Sequence, residues 1–238
     1  MDLVFFDFDK TLTTVDTTLP LASFLAAGRR KRMRYVLFLG IYFFSRARLI
    51  SNQGLKQWFA LLFLSGQSVD EITAAAREFF HKYLHFIRNA DVLDRLRHHA
   101  SRGSSIYLLS ANFSFFLRPL QDIWPVTGIV ATRTEIQNGM YTGRLLGRSC
   151  HGREKLERVV RAFGREAVSN AIAYSDDTSD MSLLECIREG YLVEHIRRPG
   201  RLPGLRAKAL LFFRGYRCLS GRHSCQLTTK ILPVGRRK

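Results

Sequence analysis

Apolar residues follow two patterns along this chain, and their alternation predicts the fold class. Runs of consecutive apolar positions are typical of strands buried on both faces, and they lie at 3–8, 105–110, 128–132, 171–175 and 190–193. Apolar residues three and four positions apart predict helices between them, at 91–101, 112–123, 153–163 and 178–188. This alternation predicts an α/β protein with a doubly wound parallel sheet.

One long segment breaks the alternation, because four helices follow each other between the first two strands. They are predicted at 19–27, 34–50, 55–64 and 69–87, with glycine and small polar residues between them. A single crossover needs far fewer residues. Later in the chain, Asn138-Gly139 joins two strand-like runs and predicts a hairpin.

Positive charge is concentrated near the end of the sequence. From His195 onward there are twelve Lys or Arg and no acidic residue, whereas the first 194 residues carry 25 basic and 20 acidic ones. We expect either a solvated terminus or a basic amphipathic helix at 205–216 that could hold polyanions without specificity. Specific nucleic-acid binding is not expected, because no fold signature for it is present.

Acidic and hydroxyl side chains stand where predicted strands end. Asp7 and Asp9 stand at the carboxyl end of the first strand, two positions apart and therefore on the same strand face, and Asp176 follows the strand at 171–175. In open parallel sheets this edge is where ligands bind, and a hard divalent cation explains carboxylates that are otherwise expensive to bury. Taken singly, Asp9 and Asp176 could be helix N-caps, Lys155 an exposed helix charge, and Ser110 a turn residue.

Together these residues resemble the four motifs of the haloacid dehalogenase-like phosphatases. Asp7-Phe8-Asp9-Lys10-Thr11 looks like the first motif, and Ser110-Ala111-Asn112-Phe113 looks like the second. Lys155 looks like the third, and Asp176 with Asp180 looks like the fourth. The match runs from about residue 3 to residue 193, and 131–143 resembles the phosphoserine-phosphatase-like branch, subfamily IB.

The resemblance implies a Mg²⁺-dependent phosphomonoester hydrolase that works through an aspartyl-phosphate. Asp7 would be the nucleophile, Asp9 the general acid and base, and Lys155 the cation that balances the phosphoryl charge. Mg²⁺ would be held by Asp7, the backbone carbonyl of Asp9 and Asp176. Asp180 would position Lys155. Phosphate or substrate would be bound by Thr11, Ser110, Asn112 and Asp16.

The resemblance also implies a division of the chain. The catalytic core would comprise 1–16 and 89–194, a small helical cap would be inserted at 17–88, and a basic C-terminal tail would follow at 195–238. Such a cap closes over the site, excludes water and selects the substrate.

The substrate class stays open between a small phosphorylated metabolite, such as phosphoserine, and a phospholipid monoester. The apolar run 35–44 has cations on both sides, which fits either the core of the cap or the surface of an anionic membrane. It is too short to span a bilayer. We expect a cytoplasmic protein, because no secretory signal precedes the first strand, and peripheral contact with the inner face of the membrane is a hypothesis. Two alternatives to the hydrolase are a phosphotransferase of the same fold and a catalytically weak relative that binds membrane or nucleic acid.

Overall fold

The computed structural model describes residues 2–26, 29–196 and 228–234, and it is built around a six-stranded sheet in the order β3-β2-β1-β6-β7-β8. The strands are β1 Leu3–Phe6, β2 Ser105–Phe113, β3 Gly128–Thr132, β4 Thr134–Gln137, β5 Met140–Leu145, β6 Ile172–Ser175, β7 Glu189–Ile196 and β8 Thr228–Val234. Strands β4 and β5 form a separate hairpin. All neighbours in the large sheet are parallel except β7 and β8.

Nine α-helices are described in these residues. They are α1 Thr18–Leu25, α2 Arg29–Arg46, α3 Asn52–Phe59, α4 Val69–Ile87, α5 Ala90–Ser101, α6 Ser114–Leu117, α7 Arg153–Phe163, α8 Arg165–Ser169 and α9 Met181–Leu184. The prediction for 112–123 was too long, because a 3₁₀ segment that contains Pro119 replaces its second half. The helix predicted at 178–188 is also shorter, with a 3₁₀ turn before α9.

Helices cover both faces of the sheet, which confirms the predicted doubly wound α/β fold. Alternate residues of β1 face opposite sides, as the period of a strand requires. Phe6 stacks on Tyr174 in the cluster that includes α4 and α5, with ring centroids 4.6 Å apart. Phe5 contacts Phe163 of α7 on the other face, with centroids 5.6 Å apart. Because both faces are covered, the apolar run of β1 needs no alternation.

Helices α1 to α4 form a helical unit beside the sheet, around aromatic residues such as Phe38, Phe59 and Phe63. The Ser68–Glu71 capping box starts α4 at the predicted residue. The unit also contacts the hairpin, because the N–H of Gly66 donates to the carbonyl of Tyr141 at 2.9 Å. The cap bounds 17–88 and the core bounds 1–16 and 89–194 stay predictions.

Strand β8 is a feature that the sequence did not predict. It pairs antiparallel with β7, from Gly190 opposite Val234 to Ile196 opposite Thr228. The Thr229 hydroxyl also donates to Oδ1 of Asn89 at 3.2 Å. Part of the predicted tail at 195–238 therefore belongs to the sheet, whereas the helix predicted at 205–216 lies outside the described residues. No helix in the described ranges is both long and apolar enough to cross a bilayer.

Candidate active site

A buried ion network begins at the end of β1. Asp7 follows Phe6 directly, and its N–H donates to the carbonyl of Tyr174 on the neighbouring strand β6 at 2.9 Å. Lys155, in the first turns of α7, places Nζ 2.7 Å from Oδ1 of Asp7 and 2.5 Å from Oδ2 of Asp180. Because only 3% of the Lys155 side chain is exposed, its interpretation as a solvated helix charge is wrong.

The network fixes the charge of Lys155. Burial raises the pKa of Asp7 to about 8, although the Lys155 cation opposes this shift. Burial alone would lower the pKa of Lys155, but the carboxylates of Asp7 and Asp180 outweigh it and raise that pKa. Lys155 is therefore a permanent cation beside Asp7. Asp180 also accepts from the Ser175 hydroxyl at 2.7 Å, which fixes its position.

The Thr11 hydroxyl connects Asp7 with a second carboxylate. Its Oγ1 lies 3.2 Å from Oδ2 of Asp7 and 3.3 Å from Oδ1 of Asp176, and it accepts the N–H of Asp176 at 2.9 Å. Burial raises the pKa of Asp176 to about 6. Two carboxylates with raised pKa values around one hydroxyl mark a place where negative charge is poorly compensated. Asp176 does not cap the following 3₁₀ turn, because Asp177 does so.

These donors fit the magnesium ion that the sequence predicted. Asp7, Asp176 and the backbone carbonyl of Asp9 would offer only oxygen atoms, which a hard divalent cation prefers. Within residues 2–26, 29–196 and 228–234, no three His, Cys, Asp or Glu side chains cluster as a metal site. The predicted magnesium ligands include only two carboxylate side chains, so the absence of a cluster of three does not test them. The magnesium site therefore stays a prediction.

Asp9 lies in a turn, not on the strand. Strand β1 ends at Phe6, and the chain then turns through Lys10, whose φ is 57°. The expectation that Asp9 shares a strand face with Asp7 is therefore wrong. Its Oδ1 accepts the N–H and hydroxyl of Thr17 at 2.8 and 2.6 Å, and its Oδ2 accepts from Asn112 at 3.1 Å. Burial raises the pKa of Asp9, which favours the protonated form that an acid needs.

Residues of the second motif hold Asp9 in position through hydrogen bonds. The amide of Asn112 donates to Asp9 and, at 2.8 Å, to the Thr17 hydroxyl. The backbone N–H of Asn112 donates to Ser110 Oγ at 3.0 Å, so both residues of the motif are buried and hydrogen-bonded within the protein. The predicted phosphate contacts of Thr11, Ser110 and Asn112 stay predictions.

Lys56 is a buried cation of the site that sequence reasoning missed. It lies in α3 and is 3% exposed, and its Nζ donates to the Thr18 hydroxyl at 3.1 Å. Burial lowers the pKa of Lys56, while the carboxylates of Asp9 and Asp16 oppose that shift. The only sequence signal was a lysine next to Leu55 and three positions before Phe59, on the buried side of the helix.

A cavity of about 330 Å³ opens beside Lys56, between the helical unit and the sheet-based part of the chain. Its charged and polar lining includes Asp16, Tyr42, Arg46, Arg48, Lys56 and His151. Asp16 accepts the N–H of Thr18 at 2.9 Å and the Tyr42 hydroxyl at 3.3 Å. Asp16 therefore binds the start of α1 and also lines the cavity.

The comparison with known families agrees with this geometry, because the family model of haloacid dehalogenase-like hydrolases matches residues 4–185. The chain belongs to this hydrolase family. A probable phosphatase of Mycobacterium tuberculosis is 25% identical over 233 residues, which cover 95% of this chain and 78% of that protein. Phosphoserine phosphatase SerB1 of the same species is 26% identical over 190 residues, which cover 77% of this chain and 61% of that protein.

The chain spans about three fifths of the length of the first curated relatives that it matches. Among solved structures, a protein of unknown function from Bordetella pertussis Tohama I is similar with a TM-score of 0.68 and 28% identity. The match covers 88% of this chain and 94% of that one. The predicted family and fold class are thus confirmed.

Proposed function

We propose that this protein is a Mg²⁺-dependent phosphomonoesterase in which Asp7 is the nucleophile. The observation that carries the proposal is the buried contact of Lys155 with both Asp7 and Asp180, at 2.7 and 2.5 Å. A permanent cation beside a carboxylate lets that carboxylate approach a phosphate dianion. The family match and the relatives named phosphatases support the same reaction class.

In the proposed reaction, an Asp7 oxygen attacks phosphorus, forms an aspartyl-phosphate and expels an alcohol. Asp9 gives the alcohol its proton and then takes a proton from the water that hydrolyses the phosphoenzyme. For this, Asp9 must exchange a hydrogen bond from Thr17 or Asn112 for one to the leaving group. Lys155 stays charged throughout and neutralises the phosphoryl oxygens, while Asp180 holds it in place.

Asp7, Asp176 and the carbonyl of Asp9 would hold Mg²⁺. When bound, the ion would supply positive charge that screens the phosphate from the two carboxylates. The raised pKa values of Asp7 and Asp176 support a cation at this place, because both shifts reflect charge that burial leaves poorly compensated.

The substrate proposed is a phosphorylated small molecule whose alcohol portion occupies the cavity. Cations from Arg46, Arg48 and Lys56 and the carboxylate of Asp16 line it, so an alcohol that carries both an anionic and a hydrogen-bond-donating group fits its charges. Phosphoserine has these groups, and so do the headgroups of some phospholipid monoesters.

Release of inorganic phosphate tests the proposal directly. The substrates are p-nitrophenyl phosphate, phosphoserine, sugar phosphates, nucleotides and phosphatidylglycerophosphate in mixed micelles, each with Mg²⁺ or with EDTA. We expect Mg²⁺-dependent turnover that Asp7→Asn abolishes without unfolding the protein. Asp70→Asn, a change at an exposed position in α4, is the matched control and should retain activity. Full activity in Asp7→Asn would refute the assignment of the nucleophile.

A further inference from the structure

One face of helix α2 is apolar and exposed. Five side chains share this face, and their exposed fractions are 72% for Met33, 61% for Val36, 54% for Leu37, 72% for Phe43 and 50% for Phe44. Their spacing of three, four and seven positions keeps them within an arc of about 120° at roughly 100° per residue. We name these five residues the α2 stripe. An exposed apolar patch of this kind marks an interaction surface.

The α2 stripe is not the face that packs into the protein. Phe38 and Ile41 lie outside this arc and are 0% and 8% exposed in the core of the helical unit. The ring of Phe38 contacts the rings of both Phe59 and Phe63, with centroids 5.5 and 5.3 Å away. Helix α2 therefore has a buried apolar face that holds it in place and a second apolar face with no partner among the described residues.

Cations border the α2 stripe at both ends. The helix has six Arg or Lys residues and no acidic one. Arg32 and Arg34 are exposed at its beginning, and Arg46 and Arg48 are exposed at and just after its end. An apolar face between clusters of positive charge complements a surface that is apolar below and negative above, as an anionic lipid monolayer is.

Charge also argues against two other occupants. If a second copy packed on the α2 stripe, parallel or antiparallel, the cationic ends of both helices would meet. Residues 197–227 of the same chain carry eight Arg or Lys residues and no acid, so they would bring further positive charge to the same place. An anionic membrane is the occupant that satisfies both the apolar face and the charges.

We infer that the α2 stripe docks the protein on anionic membranes. The five side chains of the stripe enter the boundary between headgroups and acyl chains, and Arg32 and Arg34 bind lipid phosphates. The opposite side of the same helix carries Tyr42, whose hydroxyl donates to Asp16 in the cavity. Docking therefore places helix α2 between the lipid surface and the cavity. The inference goes beyond the proposed function and does not depend on it.

Vesicle co-sedimentation of the full chain tests the inference. The vesicles contain phosphatidylcholine alone or phosphatidylcholine with phosphatidylglycerol, at low and at moderate salt. We expect binding to the anionic vesicles only, part of which survives moderate salt because it is apolar. Phe43→Ser/Phe44→Ser should weaken it at least about tenfold, because these two rings supply much of the apolar area. Phe86→Ser is the matched control, since Phe86 is a 67% exposed ring on α4, and it should bind like the wild type.

Three results would overturn the inference. In the first, the wild type does not bind anionic vesicles. In the second, the double variant binds them as well as the wild type does. In the third, the wild type is a dimer and the double variant is a monomer. The last result would assign the stripe to a second copy. Phosphate release from p-nitrophenyl phosphate is measured on the same samples, and we expect the double variant to match the wild type. An inactive wild type would count against the proposed phosphatase while leaving the vesicle result intact.

Discussion

Replacement of Lys155 by methionine removes the only cation that contacts both Asp7 and Asp180 among the described residues. The two carboxyl side chains are 8% and 1% exposed, so water cannot replace the lost charge. Removal of one partner from a buried ion network costs about 3–5 kcal/mol of unfolding free energy. With a urea m-value of about 2–3 kcal/mol per molar, the midpoint of unfolding should fall by roughly 1–2.5 M.

The pH dependence of this loss has a definite sign. Lys155 opposes the upward shift of the Asp7 pKa, so without it the native state keeps the Asp7 proton above pH 8, where the wild type releases it. The native state of Lys155→Met therefore loses further stability against the wild type as pH rises above 8, and its deficit should be larger at pH 9 than at pH 6. Lys155 is charged at both values and adds no titration of its own.

Urea unfolding followed by circular dichroism, in EDTA and at both pH values, measures this deficit. Lys82→Met is the control, because Lys82 is an exposed residue that pairs with Glu78 and lies 5.6 Å from the centroid of the Phe24 ring, and it should change stability by about 1 kcal/mol or less. Lys155→Met/Asp180→Asn should be more stable than Lys155→Met, since it removes one uncompensated carboxylate. A deficit at pH 9 no larger than that of Lys82→Met, or one equal at both pH values, would refute the reasoning.

Three further outcomes follow from the structure. Asp9→Asn should slow turnover of alkyl phosphates by about 10²–10⁴-fold but slow aryl phosphates much less, and equal losses would contradict the acid role. Burial raises the pKa of Cys150 to about 12, so it should resist iodoacetamide at pH 8 until urea unfolds the protein, as peptide mass spectrometry would show. Gly190→Ala should cost about 1–3 kcal/mol in urea unfolding, because its Cβ would lie 2.3 Å from the Leu184 carbonyl oxygen, whereas Gly40→Ala meets nothing and should stabilise the protein slightly.

Local patterns predicted most of the sheet. Strand β3 and helices α4 and α7 have the predicted bounds, because apolar runs and helical spacing are signals that neighbouring residues carry. Strand ends placed Asp7 and Asp176 at one edge of a parallel sheet, and the resemblance to the hydrolase motifs added Lys155.

Features that depend on distant residues were missed. Nothing near Lys56 in sequence shows that Asp9 and Asp16 surround it with negative charge, so its burial became visible only in the folded chain. Strand β8 contains Lys230 and Pro233, which weaken a strand signal, and its pairing partner β7 ends 32 positions earlier. The resemblance grouped Asp7, Lys155 and Asp180, which are in contact in the folded chain, but gave no information on how the chain returns to the sheet.

The position of β8 has a consequence for how the sheet is completed during synthesis. Until Thr228–Val234 leaves the ribosome, the outer edge of β7 has unpaired N–H and carbonyl groups, to which another nascent chain can add a strand. At about 5–20 residues per second, the interval between Ile196 and Val234 lasts roughly 2–8 s. Once β8 has added, the new edge carries Lys230 and Pro233, a charge and a residue without an N–H, both of which discourage further addition. The late strand thus ends the period in which the half-made protein is prone to co-aggregation on polysomes.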